Sequence, residues 1–167
     1  LFQQLFYLSD FRDRVLTLNL PINQIEIDSS DNRLLHCLQD MFRTMLISRS
    51  QNFDTMELIN VLPKNGESIC VNEQQDVEEF LNMFTDRMES TLSSTADPNL
   101  MSDIFGGKLS HLITCKRCGF TSERIEDSRS ISLDIRGHTS LESSLSGFIQ
   151  EEFLNGDNQY FCSKCNE

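Results

Sequence analysis

The stretch Phe105-Gly106-Gly107-Lys108-Leu109-Ser110-His111-Leu112-Ile113-Thr114-Cys115-Lys116-Arg117-Cys118-Gly119 divides the chain into two kinds of structure. Before it, apolar residues recur every three or four positions. Within it, Leu109, His111 and Ile113 alternate with Ser110, Leu112 and Thr114, the two-residue period of a strand. Past the Cys-x-x-Cys-Gly turn, residues 120–126 resume the strand pattern, so the knuckle is expected at the tip of a β-hairpin. Residues 129–135, with Ile131, Leu133 and Ile135 on one side, read as a further strand. The fold class is therefore α+β, helical over residues 1–104 and β-rich over residues 105–167.

Working back from that boundary, residues 74–92 carry Val77, Phe80, Leu81, Phe84 and Met88 at helical spacing, and Thr91 to Asn99, with Pro98, closes that helix in a loop. Leu34, Leu35, Leu38, Met41, Phe42, Met45 and Leu46 form a second stripe, predicting a helix of about four turns. It follows a polar connector from Pro21 to Asn32 that ends at the capping candidate Asp31. Residues 50–73 read as a short helix and a loop with an Asn65-Gly66 turn. The chain opens on Leu1-Phe2-Gln3-Gln4-Leu5-Phe6, already in mid-pattern and without an N-cap residue, so both halves are expected to belong to one larger domain. Beyond the hairpin, Thr139 with Glu142 predicts a capping box for a short helix bearing Leu141, Leu145, Phe148 and Ile149. Gly156-Asp157-Asn158 is then a turn leading to Tyr160 and Cys162-Ser163-Lys164-Cys165.

Composition narrows the function. The 167 residues carry a formal charge of −12, with 38% hydrophobic and 24% charged residues, so the chain has the material for a core and falls outside the disordered regime. The longest apolar run, Leu5-Phe6-Tyr7-Leu8, is far shorter than the roughly 20 residues of a membrane span, and no signal peptide is visible. The negative charge and the absence of a clustered basic patch exclude electrostatic binding to nucleic acid or to an anionic membrane surface. A basic protein partner is the better match.

Of six cysteines, Cys115, Cys118, Cys162 and Cys165 form two Cys-x-x-Cys pairs separated by 43 residues. Such pairs supply the soft tetrahedral ligand set of zinc, and four of them leave no open position for a catalytic water, so the site is expected to be structural. The competing reading is four reduced thiols. Without a secretory signal, zinc thiolates are favoured over disulfides, which places the chain inside a cell, in cytoplasm or nucleus. Cys37, beside the apolar stripe of its helix, is expected in the core, and Cys70 in a loop without basic neighbours is expected to be inert.

A second constellation is Gln74-Gln75-Asp76-Val77-Glu78-Glu79-Phe80-Leu81. Asp76 and Glu79 are expected to share one helical face in the first turns, where the helix dipole favours carboxylates. From Glu67 to Glu89 seven acidic residues stand against Arg87 alone, a net −6, which is half of the chain's excess charge. Taken alone, that is a solvated helix face.

Taken in order, Gln74-Gln75-Asp76-x-x-Glu79-Phe80-Leu81, Phe105-Gly106-Gly107, Cys115-x-x-Cys118, Ser130-Ile131-Ser132-Leu133-x-Ile135, Leu141-x-x-x-Leu145 and Gly156-Asp157-Asn158-x-Tyr160-x-Cys162-x-x-Cys165 resemble the middle of the ubiquitin-specific protease domain. The opening Leu1-Phe2-Gln3-Gln4-Leu5-Phe6, followed by Phe11-Arg12, resembles the helix after that family's nucleophile. The resemblance implies a papain-like cysteine peptidase shaped as a hand, with helical thumb elements in residues 1–104 and β fingers and part of the palm in residues 105–167. It also implies zinc at the fingertips on Cys115, Cys118, Cys162 and Cys165. Gln74, Asp76 and Glu79 would contact ubiquitin, the carboxylates pairing with arginines of its C-terminal tail.

The implied function is that of a thiol-dependent hydrolase acting on the bond after ubiquitin's terminal glycine, with ubiquitin and ubiquitinated proteins as partners. The thiolate, imidazole and orienting group of such an enzyme are not assignable within the 167 residues. By the resemblance, the nucleophile would fall just before Leu1 and the general base beyond Glu167. His36, His111 and His138 read as ordinary residues. Two other readings compete: a ubiquitin-binding relative that has lost catalysis, and a zinc-ribbon scaffold, which leaves the Gln-Gln-Asp helix unexplained.

Overall fold

The computed structural model of the chain describes residues 1–19, 30–48, 52–63, 69–70 and 72–166. They pack as two bodies, Leu1–Phe105 and Gly106–Glu167. The first contains α1 (Phe2–Tyr7), α2 (Ser9–Thr17), α3 (Ser30–Ile47), α4 (Met56–Val61), α5 (Val77–Leu92) and α6 (Leu100–Phe105). The opening pattern gives two helices rather than one, because Leu8 turns extended (φ −74°, ψ 91°) and its N–H bonds back to the carbonyls of Gln4 and Leu5.

Phenylalanines organise the helical core. Phe11, fully buried, meets Phe42, Phe84 and Phe105 edge to face with ring centroids 5.7–6.4 Å apart, and Phe2 packs on Phe80 and Phe84 in the same way. That geometry puts the positive ring edge on the negative face, worth about 0.5–1.5 kcal/mol per pair beyond burial. The α3 stripe buries Leu34, Leu35, Leu38, Met41 and Phe42, with Met45 half-buried; Leu46, at the margin of the stripe and in the last turn, is exposed. The helix starts at Ser30 and runs 18 residues, so Asp31 lies inside it. The connector before it and the Asn65-Gly66 turn lie outside the described residues.

Two buried polar side chains donate to carbonyls at helix ends. Gln39 Nε2 donates to the carbonyls of Val15 and Leu18 at 2.9 and 2.8 Å, and Arg87 Nε donates to the carbonyl of Leu62 at 2.9 Å. Arg14 joins α2 to the α5–α6 connection through Nε and Nη2 bonds to Asp97, and to α6 through an Nη2 bond to Asp103, all at 2.8 Å. Cys37 is half-buried against the core, and burial, with Glu57 beside it, pushes its thiol pKa up.

The second body is the hairpin of β1 (Gly107–Thr114) and β2 (Thr121–Ser128), antiparallel from the Gly107–Ser128 pair to the Thr114–Thr121 pair at its tip. Residues 129–135, expected as a strand, are assigned to no strand: the sheet among the described residues consists of β1 and β2. The last helix, α7 (Leu141–Phe148), is capped by Ser140, whose side chain accepts from the Ser143 N–H, rather than by Thr139. Among the described residues of this body only Ser144 and Cys162 are buried. Its apolar side chains Ile135, Phe153 and Phe161 are largely exposed, so it has little hydrophobic core of its own.

Candidate functional site

At the hairpin tip the backbone builds the first knuckle. Cys115 N–H bonds to the carbonyl of Phe120 at 2.8 Å and Gly119 N–H to that of Cys115 at 2.9 Å. Gly119 takes φ +70°, a left-handed turn that favours glycine. The second knuckle is a turn closed by the Asn166 N–H on the carbonyl of Cys162 at 2.8 Å. The two meet across the 43 intervening residues. Cys115 Sγ lies 3.8 Å from Cys165 Sγ, Cys118 Sγ lies 3.7 Å from Cys162 Sγ, and all four sulfurs fall within 4.8 Å of one another. A tetrahedron of Zn–S bonds of about 2.3 Å places its sulfurs about 3.8 Å apart. The donor set and its spacing therefore fit a dication such as zinc, and the four cysteines could hold a metal ion.

The four thiols differ in proton affinity. The N–H groups of Cys118 and Arg117 pull the Cys115 thiol down to about 6. The N–H of Cys165 does the same for Cys162, lowering it against the effect of burial. Burial and the neighbouring thiols push Cys165 up to about 12. On Cys118 the Phe120 N–H acts downward, but burial of the sulfur together with Cys115 and Cys162 raises it. In each knuckle one cysteine is thus pulled toward the thiolate and the other is held toward the thiol.

Two features around the cluster have no local signal in the sequence. Lys116 Nζ sits 3.9 Å from the centroid of the Phe153 ring, a cation–π contact that braces the knuckle against the 150–155 segment. Tyr160 borders an open cleft of about 520 Å³ with the hairpin residues His111, Ile113, Ser122, Arg124 and Glu126. His111 Nε2 stands 3.7 Å from Glu126 Oε2, and Arg124 pairs with the other oxygen of that carboxylate.

In the helical body, α5 begins at Val77 and Asp76 is its N-cap, with φ −70° and ψ 127°. Asp76 Oδ1 accepts from the Glu78 and Glu79 N–H groups at 2.8 and 3.0 Å. Asp76 therefore does not share a helical face with Glu79; it sits one step outside the helix, over its positive end. Val77, expected in the apolar stripe, is 67% exposed, while Phe80 and Leu81 are half-buried, so the first turn projects from the core. Gln74, Asp76 and Glu79 are all exposed there, and among the described residues no cation pairs with either carboxylate. Gln75 Nε2 donates to the Cys70 carbonyl at 3.3 Å. No cysteine thiol among the described residues is hydrogen-bonded to a histidine; His138 Nδ1 pairs with Ser143 Oγ at 2.8 Å.

Helices in one body and a cysteine-bearing antiparallel hairpin in the other are the partial α+β architecture of a papain-like domain. The chain belongs to the ubiquitin carboxyl-terminal hydrolase family, whose model matches residues 1–149. It is 30% identical over 169 residues to ubiquitin carboxyl-terminal hydrolase 26 of Arabidopsis thaliana, covering 98% of the chain and 15% of that relative. It is 34% identical over 131 residues to ubiquitin carboxyl-terminal hydrolase 48 of Danio rerio, covering 77% of the chain and 12% of the relative. With ubiquitin carboxyl-terminal hydrolase 24 of Homo sapiens it shares 28% identity over 166 residues, 99% of the chain and 6% of the relative. The chain thus spans between 6 and 15% of the length of these relatives. The family is one of deubiquitinating cysteine peptidases. Among the described residues no helix is long and apolar enough to cross a membrane.

Proposed function

We propose that the chain supplies ubiquitin-binding elements and a structural zinc site to a deubiquitinating cysteine peptidase that hydrolyses the bond after ubiquitin's C-terminal glycine. The observation that carries the ubiquitin reading is the exposed Gln74, Asp76 and Glu79 at the projecting N-terminus of α5, in a chain of this family. Carboxylates there meet a basic peptide tail on favourable terms, because a charge-assisted hydrogen bond to guanidinium contributes about 1.5–3 kcal/mol. Residues 1–104 act as thumb elements and residues 105–167 as fingers and part of the palm. Cys115, Cys118, Cys162 and Cys165 are the zinc ligands; bound there, zinc would supply cross-linking rather than chemistry, since four thiolates complete its tetrahedron. Ubiquitin and ubiquitinated proteins are the partners, in cytoplasm or nucleus.

The reaction class is tested on the full-length protein with ubiquitin vinyl sulfone. Labelling that depends on a cysteine outside residues 1–167 is the expected result. Labelling of Cys37 or Cys70, or labelling that survives loss of that outside cysteine, contradicts the assignment. Metal analysis of protein purified without chelator is expected to give close to one zinc per chain; less than about half an equivalent counts against the zinc assignment.

A further inference from the structure

We propose that Gln75 is a positioning residue for the ubiquitin site: its side-chain amide ties the approach to α5 to a fixed point on the helical body, and so sets where Gln74 and Asp76 present their polar atoms. This role presupposes the ubiquitin reading given above, which it deepens. Ile69 and Phe80 both pack against the helical core. Between them the described residues, 70 and 72–79, are all exposed, so packing does not fix the course of the chain there. Hydrogen bonds do. The Cys70 carbonyl, next to the anchored Ile69, accepts from Gln75 Nε2 at 3.3 Å and from the Glu73 N–H at 3.5 Å. Among the described residues, no other hydrogen bond holds residues 70 and 72–75. The Glu73 bond closes the turn at residues 70–73, and the Gln75 bond reaches past it to the residue beside the cap.

The geometry of Asp76 makes that tie matter. Both cap bonds fall on Oδ1, from the Glu78 and Glu79 N–H groups. Among the described residues Oδ2 takes no partner, and it is the oxygen left for a guanidinium. The cap holds Asp76 to α5, whereas the Gln75 amide holds the chain that enters Asp76. Without that amide, residues 74 and 75 have no hydrogen bond of their own among the described residues, and a partner must order them as it binds. An isosteric side chain without a donor leaves the helix capped and the core untouched. The loss therefore falls on binding rather than on folding.

The test is calorimetric titration of the full-length protein with ubiquitin. Gln75→Met keeps the side-chain length without a donor, and Gln75→Asn keeps the amide but stops one methylene short of Cys70. Both are measured beside Asp76→Asn and the Gln75→Met, Asp76→Asn double variant. Each Gln75 variant is expected to bind about three-fold or more weakly, with an unchanged melting temperature. In the Asp76→Asn background, Gln75→Met is expected to cost less than it does alone, because it acts through an oxygen already lost. Where Asp76→Asn weakens binding, three results would overturn the positioning role and leave the site reading standing: wild-type affinity in a folded Gln75→Met protein, wild-type affinity in Gln75→Asn, or a loss fully additive with that of Asp76→Asn. Unchanged affinity in Asp76→Asn would remove the site reading, and the role of Gln75 with it.

Discussion

Asp76 holds two roles at one position, and substitution can separate them. Its Oδ1 caps α5, while its charge faces solvent at the positive end of the helix. Asp76→Ala removes both and is expected to cost about 0.5–2 kcal/mol in denaturant unfolding; Asp76→Asn keeps an equivalent cap and is expected to cost little. Sequence could not tell the cap from the first helical residues, because an acidic residue suits either position and the difference lies in the backbone angles of Asp76. The same ambiguity put Thr139 where Ser140 caps α7, since both carry a hydroxyl. At the cysteines the expected outcome concerns protons. Cys115 already favours the thiolate, so metal uptake near pH 7.5 should release fewer than four protons. Release should climb toward four, and affinity fall, as pH drops through about 6, where Cys115 takes up its proton. Calorimetry in buffers of different ionisation enthalpy measures this directly.

Among the elements, the long stripes were legible because α3 and α5 repeat their apolar spacing over several turns. The misses lie where tertiary context decides. No start signal was read for α6, although Leu100 and Met101 are buried in the helical core. Residues 129–135 carry a strand's pattern but join no sheet among the described residues. The Arg14 clamp joins residues 83 and 89 positions apart, a pairing that no local pattern encodes. It makes acid stability testable. The Arg14 guanidinium, hydrogen-bonded to Asp97, holds that carboxyl below its usual value. A carboxyl depressed in the folded state stabilises the fold above its unfolded value of about 3.9, and that contribution fades as pH falls through the folded value. Asp97→Asn is therefore expected to lower the melting temperature at pH 7, with the difference from wild type shrinking below about pH 4.

The two bodies differ in what holds them. The helical body has a phenylalanine-centred core, whereas the hairpin body buries little beyond Ser144 and Cys162, so an ion held by the four sulfurs would carry much of its order. Chelation is expected to abolish hydrogen-exchange protection across β1 and β2 while α3 and α5 stay protected; equal loss in both bodies would contradict this. The cysteine spacing made the candidate metal centre legible from sequence, since four ligands at two fixed intervals have few other uses. The acidic helix was legible only as part of an ordered series of motifs, because a run of carboxylates alone is a common solvated surface. The central claim is that the projecting end of α5 receives a basic ubiquitin tail, and calorimetric titration of the full-length protein with ubiquitin tests it most directly. Asp76→Asn, with the cap kept, is expected to weaken binding by about ten-fold or more, the scale of one lost charge-assisted hydrogen bond; unchanged affinity in a folded Asp76→Asn protein would contradict the account.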